Sequence, residues 1–305
     1  MNRRKFIYST ALIPGLPRVL PAVARTGIKE NKALAGDISI GIIVGADNPE
    51  EDLKKVADLG FSACQISIKT YSPDLANRLD AALKKYQLTP VTLMCMGPGP
   101  YIYNFMEGPS TIGLVPREYR AARVERLKQG IDFCKAASLP SVHAHFGFIP
   151  ENPKDILYTE FIDVMKGVAG YALKQNIALY FETGQETPIT LRRAIEDIGT
   201  GNLFVNYDTA NLVMYGKANP LDGLKILGPY IKSFHAKDGQ YPTNPRELGK
   251  EVLIPEGEVN FPGIISFLKK MNFKGNITIE CELSEKRKEY LLKTKEYLEK
   301  LIASV

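Results

Sequence analysis

From residue 37 onward the chain alternates between two textures, and this alternation limits what it can fold into. Short runs rich in apolar and β-branched residues read as strands: "DISIGIIVG", "SACQISI", "TPVTLMCM", "PSVHAHFG", "IALYFETG", "NLFVNYDTANL", "IKSFHAKDG" and "GNITIECE". Between them lie stretches whose apolar residues recur at helical spacing, such as "SPDLANRLDAALKKYQL" and "FPGIISFLKKMNF". Ser72-Pro73 and Asn219-Pro220 mark two of the helix starts, because a capping side chain followed by proline suits a first turn. Eight strands and eight helices alternate in this way across residues 37–302. Strand–helix–strand units place their strands parallel through right-handed crossovers, and eight of them close into a (β/α)8 TIM barrel. The fold class expected is therefore α/β, one barrel domain over residues 37–305. An open doubly wound sheet is the competitor, but "DISIGIIVGADNPEE" lacks the glycine pattern of a dinucleotide-binding turn.

Two connections exceed what a barrel needs. Residues 97–116 follow the third strand and residues 239–260 follow the seventh, on the face where barrel enzymes place their sites. Both are rich in Gly, Pro and aromatics, as substrate-covering loops often are. Tyr101, Tyr103 and Phe105 form either an apolar wall over a bound ring or a packed surface loop.

Alternation within strands decides which side chains enter the lumen. Glu182 shares a side with Ala178 and Tyr180, Asp208 with Asn206, and His235 with Ser233. In the last strand Thr278, Glu280 and Glu282 share a side. The opposite parity carries Leu179, Phe181, Val205, Phe234, Ile277 and Ile279, which suits packing against outer helices. Four consecutive strands thus send an ionisable group inward at their C-terminal ends. Three carboxylates and a histidine in one lumen repel and desolvate one another, which should raise the carboxylate pKa values. One divalent cation removes that conflict, and the donor set suits Mn2+, Mg2+, Co2+ or Zn2+, with Mn2+ preferred. Lys237, two residues beyond His235, either places a cation near a substrate oxygen or pairs with Asp238. His143 and His145 both face inward on the fourth strand, and His145, nearer the open end, is the candidate substrate contact or proton relay.

The motifs "FETG", "NYDTAN", "FHAKDG" and "TIECE", taken in order, resemble those of the xylose isomerase-like TIM barrels, also grouped as sugar phosphate isomerases/epimerases. The resemblance covers residues 37–302 and includes "IPEGEVNFPGI" before the seventh helix. It implies metal ligation by Glu182, Asp208, His235 and Glu280, with Glu182 and Glu280 also catalytic. Glu282 competes with Glu280, since parity alone cannot separate them. It further implies a sugar isomerase or epimerase that removes a proton beside a carbonyl and passes through an enediolate. Many members have a histidine three residues after the sixth-strand Asp. Here that position is Asn211, which can hydrogen-bond a substrate but cannot transfer protons.

Two other outcomes use the same barrel. A lyase acting on a 3-keto-glycoside starts with the same proton abstraction, and a non-catalytic sugar-binding protein would keep only the pocket. The related abasic-site endonucleases need three zinc ions and many histidines, whereas this chain has three histidines. Charge argues the same way. Residues 1–24 carry Arg3, Arg4, Lys5 and Arg18 without an acid, and removing these four from the formal +5 leaves +1. A near-neutral body with no basic stripe gives no reason to expect nucleic acid as a partner.

The same residues, 1–24, read as a twin-arginine-like export signal with "AVA" at 22–24 as a cleavage site, followed by a linker at 25–36. The expected location is the periplasm, with a basic tail on a cytoplasmic enzyme as the alternative. No other window approaches the length of a membrane span, so stable membrane insertion is not expected. Cys64, Cys95, Cys134 and Cys281 lack metal or redox spacing and read as buried thiols. The expected partner is a small sugar, and homo-oligomerisation is left open.

Overall fold

The computed structural model describes residues 38–282 and 287–304. The segments read as an export signal and linker lie outside the described residues. Eight parallel strands close into a barrel in the order expected of consecutive strand–helix units. They are β1 (Ser39–Gly45), β2 (Ala63–Ser67), β3 (Thr89–Met94), β4 (Ser141–Ala144), β5 (Ala178–Glu182), β6 (Leu203–Asp208), β7 (Ile231–Ala236) and β10 (Asn276–Ile279). β8 (Asp238–Gly239) and β9 (Glu251–Val252) form a separate antiparallel ribbon inside the long connection after β7.

The helices form where the sequence supplies both an apolar face and a cap. In α2 (Pro73–Lys85) Ser72 accepts from the amide of Leu75, and Leu75, Ala76, Leu79, Ala82 and Leu83 face the barrel. In α6 (Pro188–Ile198) the helix ends on Gly199 at φ +66°, a left-handed conformation that glycine adopts without strain. The core lies between strands and helices. Leu179, Phe181, Val205, Phe234, Ile277 and Ile279 belong to it, which is the outward parity set.

Three strand ends differ from the sequence reading. "NLFVNYDTANL" does not stay extended past Asp208, because Thr209–Met214 form a short helix, α7. Asp208 itself makes the switch: its Oδ1 accepts from the Asn211 amide at 2.7 Å and caps that helix. "IKSFHAKDG" divides, with β7 ending at Ala236 and Asp238–Gly239 joining the ribbon. In "GNITIECE" the strand ends at Ile279; the Glu280 amide still donates to the Ala236 carbonyl at 3.1 Å, and Glu282 lies beyond that contact.

The connection at 97–116 is held from inside. Arg123 of α4 (Arg117–Ala136) is buried and donates to the carbonyls of Pro98, Pro100 and Gly113. Its guanidinium also lies over the rings of Tyr101 and Tyr119, at 4.2 and 4.8 Å. Tyr101 is therefore part of the loop's own packing, with its hydroxyl accepting from the Gly97 amide. At Gly113, φ +75°, a Cβ would meet the Phe146 carbonyl carbon at 2.0 Å, so only glycine lets this loop cross the one after β4.

Candidate metal centre

Glu182, Asp208, His235 and Glu280 converge at the C-terminal mouth of the barrel. Each offers one ligand atom, and the four atoms lie within 4.8 Å of one another. His235 Nδ1 is 2.9 Å from Glu182 Oε1, 2.9 Å from Glu280 Oε2 and 3.6 Å from Asp208 Oδ2. A divalent ion with bonds of about 2.1 Å needs its ligand atoms roughly 3–4 Å apart.

Hydroxyl staples set this geometry. Thr183 Oγ1 accepts from the Asp208 amide at 2.8 Å and donates to the Asp208 carbonyl at 2.9 Å, locking the ends of β5 and β6 together. Thr209 Oγ1 donates to the Lys237 carbonyl at 2.8 Å and ties β6 to the end of β7.

The donor chemistry fits a cation. Gln65, buried on β2, brings its Oε1 within 2.7 Å of His235 Nε2. A carbonyl oxygen accepts only, so Nε2 carries a ring proton, and Nδ1 is the nitrogen that presents a lone pair once the ring is neutral. Nδ1 points among carboxylate oxygens. His235 Nδ1, Asp208 Oδ2 and Glu280 Oε2 are buried and have no hydrogen-bond partner. Buried polar atoms without partners are costly, and a shared cation would satisfy all three.

The pKa values split in a way the sequence reading did not anticipate. Burial pushes Asp208 up to about 7, against the pull of Lys237 and His235. Burial opposes ionisation of Glu182 and Glu280 too, yet both fall below the carboxylate range. For Glu182 the cause is the neighbouring His235 and His145, and for Glu280 it is Lys237 and His235. His235 is penalised by burial, but Glu182 and Glu280 hold its pKa well above the usual value. Like-charge repulsion is thus relieved by adjacent cations at two of the three carboxylates.

Lys237 is buried and does not pair with Asp238. Its ammonium lies 3.5 Å from Glu282, 3.6 Å from Glu280 and 3.8 Å from Glu251. Asp238 instead accepts three amides, from Gly239, Gly257 and Val259, which pins the connection after β7. Geometry separates the two competing glutamates. The Glu280 side chain is 14% exposed and reaches His235, whereas that of Glu282 is 73% exposed and reaches only Lys237 within ion-pair distance.

The other predicted residues surround this mouth. His145 Nε2 is 4.0 Å from Glu182 Oε1, and its Nδ1 meets Gln185 Oε1 at 3.2 Å. Asn211 lies buried in the first turn of α7, where a Cβ on Gly184 would meet its own Cβ at 2.8 Å. Tyr103 stands edge-on to His145, and Phe105 and Phe148 stand edge-on to Tyr215. Of the three aromatics in this loop, Tyr103 packs against His145 and Phe105 against Tyr215, while Tyr101 packs within the loop.

Sequence reasoning gave no role to several of these residues. His143 is buried with Nε2 3.2 Å from Glu182 Oε2, and with Glu182 and His235 it makes a second trio able to hold an ion. Gln65 was readable only as one polar residue within "SACQISI". Glu251 reaches Lys237 and the Glu282 amide from β9, a strand of two residues too short for periodicity to announce.

The family model described as xylose isomerase-like TIM barrel matches residues 53–301. Among solved structures, a xylose isomerase domain protein from Planctomyces limnophilus is similar at 28% identity and TM-score 0.81, covering 89% of this chain and 100% of that one. A D-psicose 3-epimerase solved in the presence of D-fructose is similar at 16% identity and TM-score 0.66, covering 87% and 99%. A 3-keto-D-glucoside 4-epimerase from E. coli is similar at 14% identity and TM-score 0.63, covering 87% and 100%. No curated protein matches the chain. No helix among the described residues is long and apolar enough to cross a membrane.

Proposed function

The chain belongs to the xylose isomerase-like TIM barrel family, and from that membership we propose that it is a divalent-metal-dependent sugar isomerase or epimerase. One observation carries the reading: four side chains at or just past the ends of four barrel strands bring ligand atoms within 4.8 Å, three of those atoms being buried without a hydrogen-bond partner. The epimerase activities named for the similar solved structures support it.

Glu182, Asp208, His235 and Glu280 would hold the ion. When bound, it would supply Lewis-acid polarisation of a substrate carbonyl and its neighbouring hydroxyl. The chain's own groups supply the proton chemistry. The low pKa values of Glu182 and Glu280 keep both ionised at neutral pH, ready to accept a proton from the carbon beside the carbonyl. Breaking that C–H bond leaves its electron pair in the substrate as an enediolate. For epimerisation the other carboxylate, protonated transiently from solvent, delivers that proton to the opposite face, and the first carboxylate releases its own proton to solvent. His145 stands between Glu182 and the outside, so its ring can pass protons to that carboxylate. Tyr103 and Phe105 would cover the reacting carbon and restrict water.

The test is elemental analysis of the purified protein followed by incubation in D2O with a panel of ketoses. One divalent ion per chain and deuterium at a single carbon are expected. Glu182→Gln should keep the fold and slow exchange by roughly 100- to 10,000-fold. Full exchange in that variant would refute the assignment.

A 3-keto-glycoside lyase is the second reading, favoured by the Arg3-Arg4 pattern, since unphosphorylated glycans lie outside the cytoplasm. There the enolate expels a leaving group instead of being reprotonated. Product mass separates the two, because an isomerase leaves mass unchanged.

A further inference from the structure

We propose that Gln65 is the positioning residue of the metal centre: by accepting the Nε2 proton of His235 it fixes the ring tautomer that offers Nδ1 as a ligand. This rests on the metal reading above and deepens it.

The argument starts from what an amide can do. A glutamine side chain has one accepting oxygen and one donating nitrogen, and burial forces both to find partners. Gln65 is fully buried in the lumen, 170 residues from His235 in sequence. Its Nε2 donates to Asn206 Oδ1 at 3.0 Å and meets Ser233 Oγ at 3.0 Å. Asn206 and Ser233 are register partners on β6 and β7, so the barrel ladder itself fixes the separation of the two acceptors. With its nitrogen on those two acceptors, the amide turns its oxygen to His235.

The tautomer follows. Metal binding needs the neutral ring, which carries one proton, and the Gln65 oxygen holds that proton on Nε2. Nδ1 is then free to ligate, 2.9 Å from both Glu182 and Glu280. The opposite tautomer would place a proton between those carboxylates, in the space the ion needs. One complete pairing would allow it: both amides turned over, with Gln65 donating to His235 and accepting from Asn206. Which way the Gln65 amide faces therefore decides whether the centre accepts metal or excludes it. Outer partners of metal-bound histidines act in this way, and their loss typically costs 10- to 100-fold in metal affinity.

Two substitutions isolate the role. Gln65→Leu keeps the bulk and removes the acceptor. Gln65→Glu keeps an acceptor for His235 Nε2, while the buried Asn206 Nδ2, which has no partner, can turn to serve the second carboxylate oxygen. Calorimetric titration of chelator-treated protein with Mn2+ should show Gln65→Leu weakened about 10- to 100-fold. Gln65→Glu should stay within about threefold of the parent, a rescue that a purely packing role would not give. In zinc-loaded, 15N-histidine-labelled parent protein, the His235 ring should be protonated on Nε2 and metal-bound through Nδ1. Unchanged Mn2+ affinity in Gln65→Leu, or a ring protonated on Nδ1 in the zinc form, overturns the proposal. If Gln65→Leu does not fold, the spectrum of the parent protein decides alone. Failure of the parent to bind either ion would instead remove the metal reading, and this proposal with it.

Discussion

Lys237 and Glu280 form a buried pair at the barrel mouth, with the ammonium 3.6 Å from the same Oε2 that faces His235. One carboxylate oxygen is thus shared between a fixed cation and the candidate ion site. Burial opposes the charged form of Glu280, but Lys237 and His235 overcome it and keep the group ionised. Glu282 shares Lys237 from the solvent side. The two glutamates look alike in sequence and differ in environment.

Glu280→Gln should therefore weaken Mn2+ binding by about 100-fold or more, whereas Glu282→Gln should change it by less than about threefold. Calorimetric titration of both variants checks this. A larger loss in Glu282→Gln would reverse the ligand assignment.

Stability of the chelated protein should fall as pH rises from 6 to 9. His235 and Asp208 have folded pKa values above their unfolded ones, Asp208 at about 7. Such groups contribute stability that is complete below the unfolded value and lost as pH rises through the folded one. Glu186, pushed up to about 8 by burial, acts in the same sense. Glu182 and Glu280 have the opposite sign, but their contribution is complete above about pH 4.5 and stays flat across this window. Metal binding requires the deprotonated forms of Asp208 and His235, so the Mn2+-induced rise in Tm should grow with pH. The chelated protein should lose about 4 °C or more over the range, and Glu186→Gln should flatten the step near pH 8. Thermal melts at fixed ionic strength with and without Mn2+ measure both, and a pH-independent Tm without metal would contradict the pKa pattern.

Removal of Arg123 should loosen the cover of the site. Its guanidinium satisfies three carbonyls of the connection after β3, and the same loop packs Tyr103 against His145 and Phe105 against Tyr215. Arg123→Ala should cost about 3 kcal/mol or more in urea unfolding, since it strands buried acceptors. Any turnover should show a raised KM with a smaller change in kcat, because the ligand atoms lie on other strands.

Asp238→Ala should free the connection after β7 without dismantling the barrel. Three amides lose their acceptor, worth roughly 2–3 kcal/mol within that loop. Trypsin should then cut at the exposed Arg246 or Lys250 about tenfold faster, read by gel and mass spectrometry. An unchanged cleavage rate would mean that the ribbon of β8 and β9 holds the loop by itself.

Much of this was legible in the chain before folding, for local reasons. Period-two and period-3.6 patterns are properties of neighbouring residues, so the eight barrel strands, their order and the inward parity of Glu182, Asp208 and His235 could be read directly. Strand ends were less legible: Asp208 closes β6 only because its side chain caps the next turn. What the sequence could not decide were contacts between distant residues. Gln65 meets His235 across 170 residues, and Glu251 enters from the two-residue strand β9, too short to show a pattern. The choice between Glu280 and Glu282, and the drop rather than rise in the pKa values of Glu182 and Glu280, depend on where Lys237 and His235 stand in space. Periodicity assigns a side chain to a face. Distance, burial and the sign of the nearest charge are set only when the barrel closes.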